Sequence, residues 1–146
     1  ILEVIKTFSK KGRDFDSICC IYPTAPFVTT KRLKEGFEIL CMNDVKAVVP
    51  VTKFSYSIFR SLKIEHNNFV TFNWPKYEKT RSQDLPDSFH DAGQWYWIDV
   101  FEFFKSGRLI GNKSAGLEID LIEVQDIDNE IDWKLAELKF ELINRN

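Results

Sequence analysis

The order of apolar and polar positions divides the chain into short segments of distinct type. Ile1, Ile5 and Phe8 fall at i, i+4 and i+7, which predicts a helix with one apolar face. Lys10-Lys11-Gly12 then supplies the cations and the glycine that end it. Ser17 to Tyr22 is apolar at nearly every position, as in a strand covered on both faces within a parallel sheet. Pro23 and Pro26 close that strand, because neither can donate to a ladder. Thr29 or Thr30 is placed to cap a second helix with Leu33, Phe37 and Leu40 on its buried stripe. A second apolar run, Ala47-Val48-Val49-Pro50-Val51, follows. Strand, helix and strand at this spacing predict a βαβ unit with two parallel strands and a right-handed crossover.

The middle of the chain differs in character. Phe54, Tyr56, Phe59, Phe69, Phe72 and Trp74 are spread among polar residues, and Phe69 to Asn73 reads as one strand of a hairpin. Aromatics on such an arm, at about residues 52–80, suit either a subunit interface or packing on their own domain. Gln94 to Ile98 predicts another strand. Asp99 with Glu102 three residues on predicts a short capped helix. Glu118 to Val124 reads as a last strand, and Asn129 to Ile143 as a final helix with Ile131, Leu135, Leu138 and Leu142 in a stripe. The class is α/β. At 146 residues the chain is expected to form a single domain.

Composition narrows the partners. A formal net charge of −2 gives no general attraction for nucleic acid or for an anionic membrane. The longest apolar runs are too short to span a bilayer. The first residues read as an amphipathic helix and not as a secretory leader. Three cysteines, two of them adjacent inside an apolar strand, point to reduced, packed thiols and a cytoplasmic setting.

Few residues are placed to do chemistry. Asp126-Ile127-Asp128 stands between the last predicted strand and the last helix, at the strand end where open α/β sheets bind ligands. Two carboxylates one residue apart in extended chain point to one side, which suits a hard cation such as Mg²⁺. Asp128 is equally well placed as a helix N-cap, and the two roles are compatible. Arg81, within Thr80-Arg81-Ser82-Gln83-Asp84-Leu85-Pro86, carries a planar fork suited to a carboxylate or phosphate, or else a solvated surface charge. Tyr22-Pro23-Thr24-Ala25-Pro26 forms a rigid turn at a strand end, a pocket wall or a plain terminator. His66 and His90 are the only histidines. The serine elbow, the dinucleotide fingerprint and the P-loop pattern are all absent from the sequence. Catalysis by positioning and electrostatics is what these residues allow.

Four stretches, in order, resemble one family. They are Ile21-Tyr22-Pro23-Thr24-Ala25-Pro26-Phe27, Thr80-Arg81-Ser82-Gln83-Asp84-Leu85-Pro86, Phe89-His90-Asp91-Ala92-Gly93-Gln94-Trp95-Tyr96-Trp97, and Gln125-Asp126-Ile127-Asp128-Asn129-Glu130-Ile131-Asp132. The family is that of the acylneuraminate cytidylyltransferases, and the second and third stretches look most like its bacterial pseudaminic-acid members. The resemblance implies a mainly parallel, Rossmann-like three-layer sandwich with a small β-containing dimerisation excursion. It also implies transfer of CMP from CTP to a nine-carbon, sialic-acid-like sugar acid, with release of pyrophosphate. Carried over by position, Asp126 and Asp128 match the acids that hold Mg²⁺, and Arg81 and Asp128 the residues closest to the reaction. Arg81, Gln83, His90, Gln94 and Tyr22 match positions beside the sugar. Tyr22 stands where sialic-acid members carry glutamine, which points away from N-acetylneuraminate itself. The arm matches the excursion through which such enzymes form homodimers.

The family's glycine-rich phosphate-cradling loop and its first three strands have no counterpart in this sequence. The resemblance therefore implies the carboxyl-terminal part of such an enzyme, with an incomplete site that does not bind CTP normally on its own. Two other readings stay open at this point: a nucleotidyltransferase for a different sugar, and a non-catalytic domain that dimerises through the arm.

Overall fold

A computed structural model describes residues 1–145. Four helices and seven strands follow one another as α1 (Leu2–Ser9), β1 (Ser17–Ile21), α2 (Thr30–Leu40), β2 (Ala47–Lys53), β3 (Leu62–Ile64), β4 (Val70–Phe72), β5 (Phe89–Asp91), β6 (Trp95–Asp99), α3 (Val100–Ser106), β7 (Ser114–Glu118) and α4 (Glu130–Asn144). Contacts divide the chain into two compact units, one of Ile1–Thr52 with the chain from Asp91 onward, the other of Lys53–His90.

In the first unit β6 runs antiparallel to β1, from Ser17 opposite Asp99 to Ile21 opposite Trp95. It is also antiparallel to β2, through Ala47 opposite Ile98 and Val48 opposite Trp97. The strand order is β1-β6-β2-β5, and β7 lies parallel to β2 from Ala47 opposite Ser114 to Val51 opposite Glu118. The expected mainly parallel sheet is thus corrected to a mixed one in which most ladders are antiparallel. The physical reason is β6. Because β1 and β2 each oppose it, they do run in the same direction across α2, but they are separated by a reversed strand instead of pairing directly.

Alternation along these strands feeds two cores. On one face Ile5 of α1 and Val100 and Phe103 of α3 pack with Val49, Tyr96 and Ile98. On the other, Leu40 of α2 packs with Val48 and Trp95, joined by Leu33, Cys19 and Trp97. Helices therefore pack against both faces of the sheet. Burial, with Cys20 as a second cause, pushes the Cys19 thiol up to about 11, as suits a packing residue.

Helix boundaries follow from capping. Thr29 Oγ1 accepts from Arg32 N at 3.3 Å, and Asp99 accepts from Glu102 N at 2.9 Å. Gly107 ends α3 in the left-handed conformation at φ +65°. Two expectations are corrected further along. The last strand stops at Glu118, and Leu121–Glu123 form a 3₁₀ turn because the Asp120 carboxylate accepts from Ile122 N. In α4 the apolar stripe is not the docked face: Ile131, Leu135, Leu138 and Leu142 are exposed, and Ala136 is the buried residue. A small side chain lets that face approach closely, while the Lys139 ammonium donates to the carbonyls of Leu121 and Val124.

The second unit is a small β-containing body. Its β3 and β4 pair antiparallel, from Leu62 opposite Phe72 to Ile64 opposite Val70. Phe59 meets the rings of Trp74 and Tyr77 edge-on at 5.6 and 5.0 Å, and the Arg60 guanidinium donates to the carbonyls of Glu78 and Thr80. The hairpin leaves Ile64 and Phe69 exposed, at 74% and 68%.

One close approach constrains the first unit. A Cβ added to Gly36 of α2 would lie 2.4 Å from Trp95 Cη2 and 3.0 Å from Trp97 Cδ1, against rigid indoles. Alanine normally favours a helix by about 1 kcal/mol over glycine. Overpacking costs about 1–3 kcal/mol and wins here. Gly36→Ala should therefore lower the urea midpoint; an unchanged or raised midpoint would show that α2 does not sit this close to β6.

Candidate functional site

The candidate site is assembled where β1 ends and two loops meet it. Pro50 has no N–H, and the β2–β6 ladder stops two residues short of it, at Val48. The Pro50 carbonyl accepts instead from Ala92 N at 2.9 Å, and the chain turns through Gly93 in the left-handed conformation at φ +64° before β6 begins. Tyr22 N then donates to the Gln94 carbonyl at 2.9 Å, fastening the end of β1 to that turn.

Side chains tighten the same place. Tyr96, only 3% exposed, donates its hydroxyl to Asp91 Oδ2 at 2.7 Å, and Asp91 Oδ1 accepts from Gly93 N at 2.9 Å. Burial, then Asp91 and the neighbouring Tyr22 hydroxyl, push the Tyr96 phenol far above its ordinary value, so it stays protonated. The Tyr22 ring, 40% exposed, meets the Tyr96 ring edge-on at 5.4 Å. Gln94 is 1% exposed, and its side-chain amide donates to the Glu123 carbonyl. The Glu123 carboxylate in turn takes Arg32 Nε at 2.8 Å and Nη2 at 3.2 Å, a bidentate pair that ties α2 to the loop before Asp126.

Asp126, Ile127 and Asp128 follow in irregular chain, exposed, half-buried and exposed in turn. Both acids are thus exposed, while Ile127 lines an open apolar hollow of about 470 Å³ with Phe27, Trp133 and Phe140. Asp126 Oδ2 lies 4.0 Å from where a Cβ on Gly93 would stand, so Asp126 and the 91–94 turn face one another. The capping role open to Asp128 falls instead to Asn129. Its side chain accepts from Ile131 N and Asp132 N, while Asp132 Oδ2 accepts from the backbone N–H groups of Asp128 and Asn129. Among the described residues neither the Asp126 nor the Asp128 carboxylate has a side-chain hydrogen bond or ion pair.

The structure thus places Tyr22, Gln94 and Asp126 around the 91–94 turn of the first unit, with Asp128 two residues beyond Asp126 in the chain. Arg81, Gln83 and His90 belong to the second. There the Arg81 fork is held by Asp84, through Nε at 2.8 Å and Nη2 at 3.3 Å, with both side chains exposed. Gln83 lines a polar hollow of about 480 Å³ with Tyr56, Ser57, Arg60 and Asp87. The His90 ring lies 4.7 Å from that of Phe54. Asp91 and Tyr96 were not singled out from the sequence; they are plain members of a strand motif until the fold closes them on each other. The Asn129-x-x-Asp132 spacing, by contrast, was a legible capping signal.

Among the described residues no cluster of three or more His, Cys, Asp or Glu forms a ready metal site, and no helix is long and apolar enough to cross a membrane. Two carboxylates with open valences nonetheless fit Mg²⁺, which keeps several waters and takes one or two protein carboxylates plus substrate phosphates.

No protein-family model matches the chain. Individual relatives do. The chain is 30% identical over 134 residues to a pseudaminic acid cytidylyltransferase of Campylobacter jejuni subsp. jejuni serotype O:2, covering 88% of this chain and 58% of that protein. It is 34% identical over 116 residues to a Helicobacter pylori protein named pseudaminic acid cytidylyltransferase and UDP-2,4-diacetamido-2,4,6-trideoxy-beta-L-altropyranose hydrolase, covering 79% of this chain and 22% of that one. With N-acylneuraminate cytidylyltransferase A of Danio rerio the identity is 29% over 152 residues, covering 93% of this chain and 32% of the relative. The similarity therefore runs through most of this chain and matches the family that its motifs resemble, while the chain spans 58% or less of the length of these relatives.

Capping and site chemistry separate by mutation. Asn129→Ala should lower stability by about 1 kcal/mol, whereas Asp128→Ala should stay within about 0.5 kcal/mol of the parent in a thermal or urea melt. The reverse order would return Asp128 to the helix cap.

Proposed function

We propose that this chain carries the metal and sugar-acid side of a cytidylyltransferase that joins CMP from CTP to a nonulosonic acid of the pseudaminic type, releasing pyrophosphate. The observation that carries the reading is the pair of carboxylates at Asp126 and Asp128, without a side-chain partner among the described residues and with Asp126 facing the 91–94 turn, in a chain similar to such enzymes over 88% of its length. In the overall reaction the anomeric hydroxyl oxygen bonds to the α-phosphorus of CTP, pyrophosphate leaves with the electrons of the broken P–O bond, and the hydroxyl proton passes to solvent or buffer. Asp126 and Asp128 would hold Mg²⁺, which when bound supplies positive charge against the phosphates.

The remaining assignments follow from side-chain chemistry. Arg81 is proposed to take the carboxylate of the sugar acid through its fork. Its bond to Asp84 is an exposed ion pair of a kind worth about 0–1 kcal/mol, so the exchange costs little. Gln83 and His90 are proposed to meet polar groups of the sugar. Gln94 serves from its buried seat, holding Glu123 and with it the segment that leads to Asp126. The exposed Ile64 and Phe69 of the β3–β4 hairpin support pairing of two copies through the second unit. A CTP-consuming reaction suits the cytoplasm, where CTP is made. Similarity to the zebrafish enzyme favours, as a second reading, an N-acylneuraminate acceptor.

The test is pyrophosphate release by the full-length protein with CTP and Mg²⁺, comparing pseudaminic acid, N-acetylneuraminic acid and other sugars, and the other three nucleoside triphosphates. Release is expected with CTP and pseudaminic acid, and Asp128→Ala should lower it on the order of 100-fold. Silence with every nonulosonic acid would refute the reading. Release from another triphosphate and sugar would assign a different nucleotidyltransferase.

A further inference from the structure

Side chains from three other elements converge on the segment that ends just before Asp126. Arg32 lies in the first turn of α2, which Thr29 caps. The next residue, Leu33, accepts from Trp97 Nε1 of β6 at 2.9 Å, so the base of the arginine is fastened to the sheet. Its guanidinium is shared by two carboxylates. Nη1 donates to Glu35 Oε2 at 3.0 Å on the same helix, while Nε and Nη2 donate to Glu123 at 2.8 and 3.2 Å. The side chains of Arg32 and Glu123 are only 21% and 29% exposed, where salt screens a charged pair less than at the open surface. Gln94 holds the Glu123 carbonyl, and Lys139 of α4 holds that of Val124. Downstream, Asp128 N and Asn129 N donate to Asp132 Oδ2 at 3.1 and 3.2 Å. Gln125, Asp126 and Ile127 therefore bridge two fixed points, and the upstream one is set by an arginine from a helix remote in sequence.

We infer that Arg32 and Glu123 are positioning residues for the Asp126 carboxylate, and that their bidentate pair sets how tightly the divalent cation is held. A planar fork making two parallel bonds fixes the orientation of Glu123 as well as its distance, which the single ammonium of a lysine does not. Groups that orient a metal ligand without touching the metal govern its affinity by about 10–100-fold. This role rests on the cytidylyltransferase reading, in which Asp126 holds Mg²⁺, and adds to it a pair outside the site that prepares the loop before the cation arrives. Arg32, Glu123, Gln94 and Asp126 all lie in the first unit.

The experiment compares the full-length protein with its Arg32→Met, Arg32→Lys, Glu123→Met and Arg32→Met/Glu123→Met forms by two readouts. The first is amide hydrogen exchange of the metal-free protein. Exchange at Asp126 and Ile127 should quicken in Arg32→Met and in Glu123→Met, while that of α2 and β6 keeps the parent's rate. The second is pyrophosphate release as Mg²⁺ is varied, with CTP and the sugar acid that the parent accepts. The Mg²⁺ concentration for half-maximal rate should rise about tenfold in either single form, with kcat at saturating Mg²⁺ little changed. The double form should be no worse than either single one, because the two residues act as a pair, and Arg32→Lys should fall between them and the parent. Glu123→Met breaks the pair from the loop side and keeps the readout should Arg32→Met fail to fold. An unchanged Mg²⁺ requirement in a folded single form, additive effects in the double form, or quickened exchange throughout α2 and β6 would overturn the positioning role while leaving the parent's turnover intact. A parent that releases no pyrophosphate with any nonulosonic acid, or releases it without a divalent cation, would overturn the underlying reading and this role with it.

Discussion

The contact between Gly36 and Trp95 is the constraint from which the arrangement of the first unit follows. Trp95 is fully buried against α2, and it occupies the volume that any side chain at position 36 would need. With β6 drawn under α2 in this way, the strand lies between β1 and β2 and opposes both. Its first residues must then emerge beside the end of β1. That is why Gln94 receives the backbone of Tyr22, and why Tyr96 can reach both Asp91 and Tyr22. A parallel pairing of β1 with β2 would have put none of these groups together.

A second economy operates at the start of α4. Its free N–H groups need acceptors, and Asn129 with Asp132 satisfies them reciprocally. Asp126 and Asp128 are thereby spared for solvent or a ligand. The loop that presents them is anchored from behind by three unrelated side chains: Arg32 and Gln94 on Glu123, and Lys139 on Leu121 and Val124. Carboxylates held at the rim of a fixed loop lose little freedom when a cation arrives, which is the general condition for a site to bind without first having to order itself.

Much of this was readable in the sequence where the signal is local. The apolar runs at Ser17–Ile21 and Ala47–Val51, the Thr29 and Asp99 caps and the final helix all stand where periodicity and capping put them. Register and neighbour were not readable, because alternation reports that a strand is covered but not by which strand. The reversed β6 is the case in point. Leu121 and Ile122 read as strand by composition and lost to the Asp120 cap, a local hydrogen bond that a two-residue apolar run does not outweigh. The stripe on α4 misled for a related reason: amphipathicity marks a face able to pack, and here Ala136 docks while Leu135 and Leu138 stay exposed. Of the candidate site, Asp126, Asp128 and Tyr22 are the residues that motif order singles out. Asp91 and Tyr96 acquire meaning only once the turn at Gly93 brings them round.

In the proposed site Asp126 and Asp128 hold a divalent cation. Manganese titrated into isotopically labelled protein, followed by paramagnetic broadening of backbone amides, reads that directly, since the effect is local and visible for weak binding. The amides of Asp126, Ile127, Asp128 and Gly93 should broaden first, and Asp126→Ala combined with Asp128→Ala should abolish the effect without shifting the α4 resonances. Broadening centred elsewhere, or persisting in the doubly substituted protein, would contradict the assignment of these carboxylates as the metal end of the site.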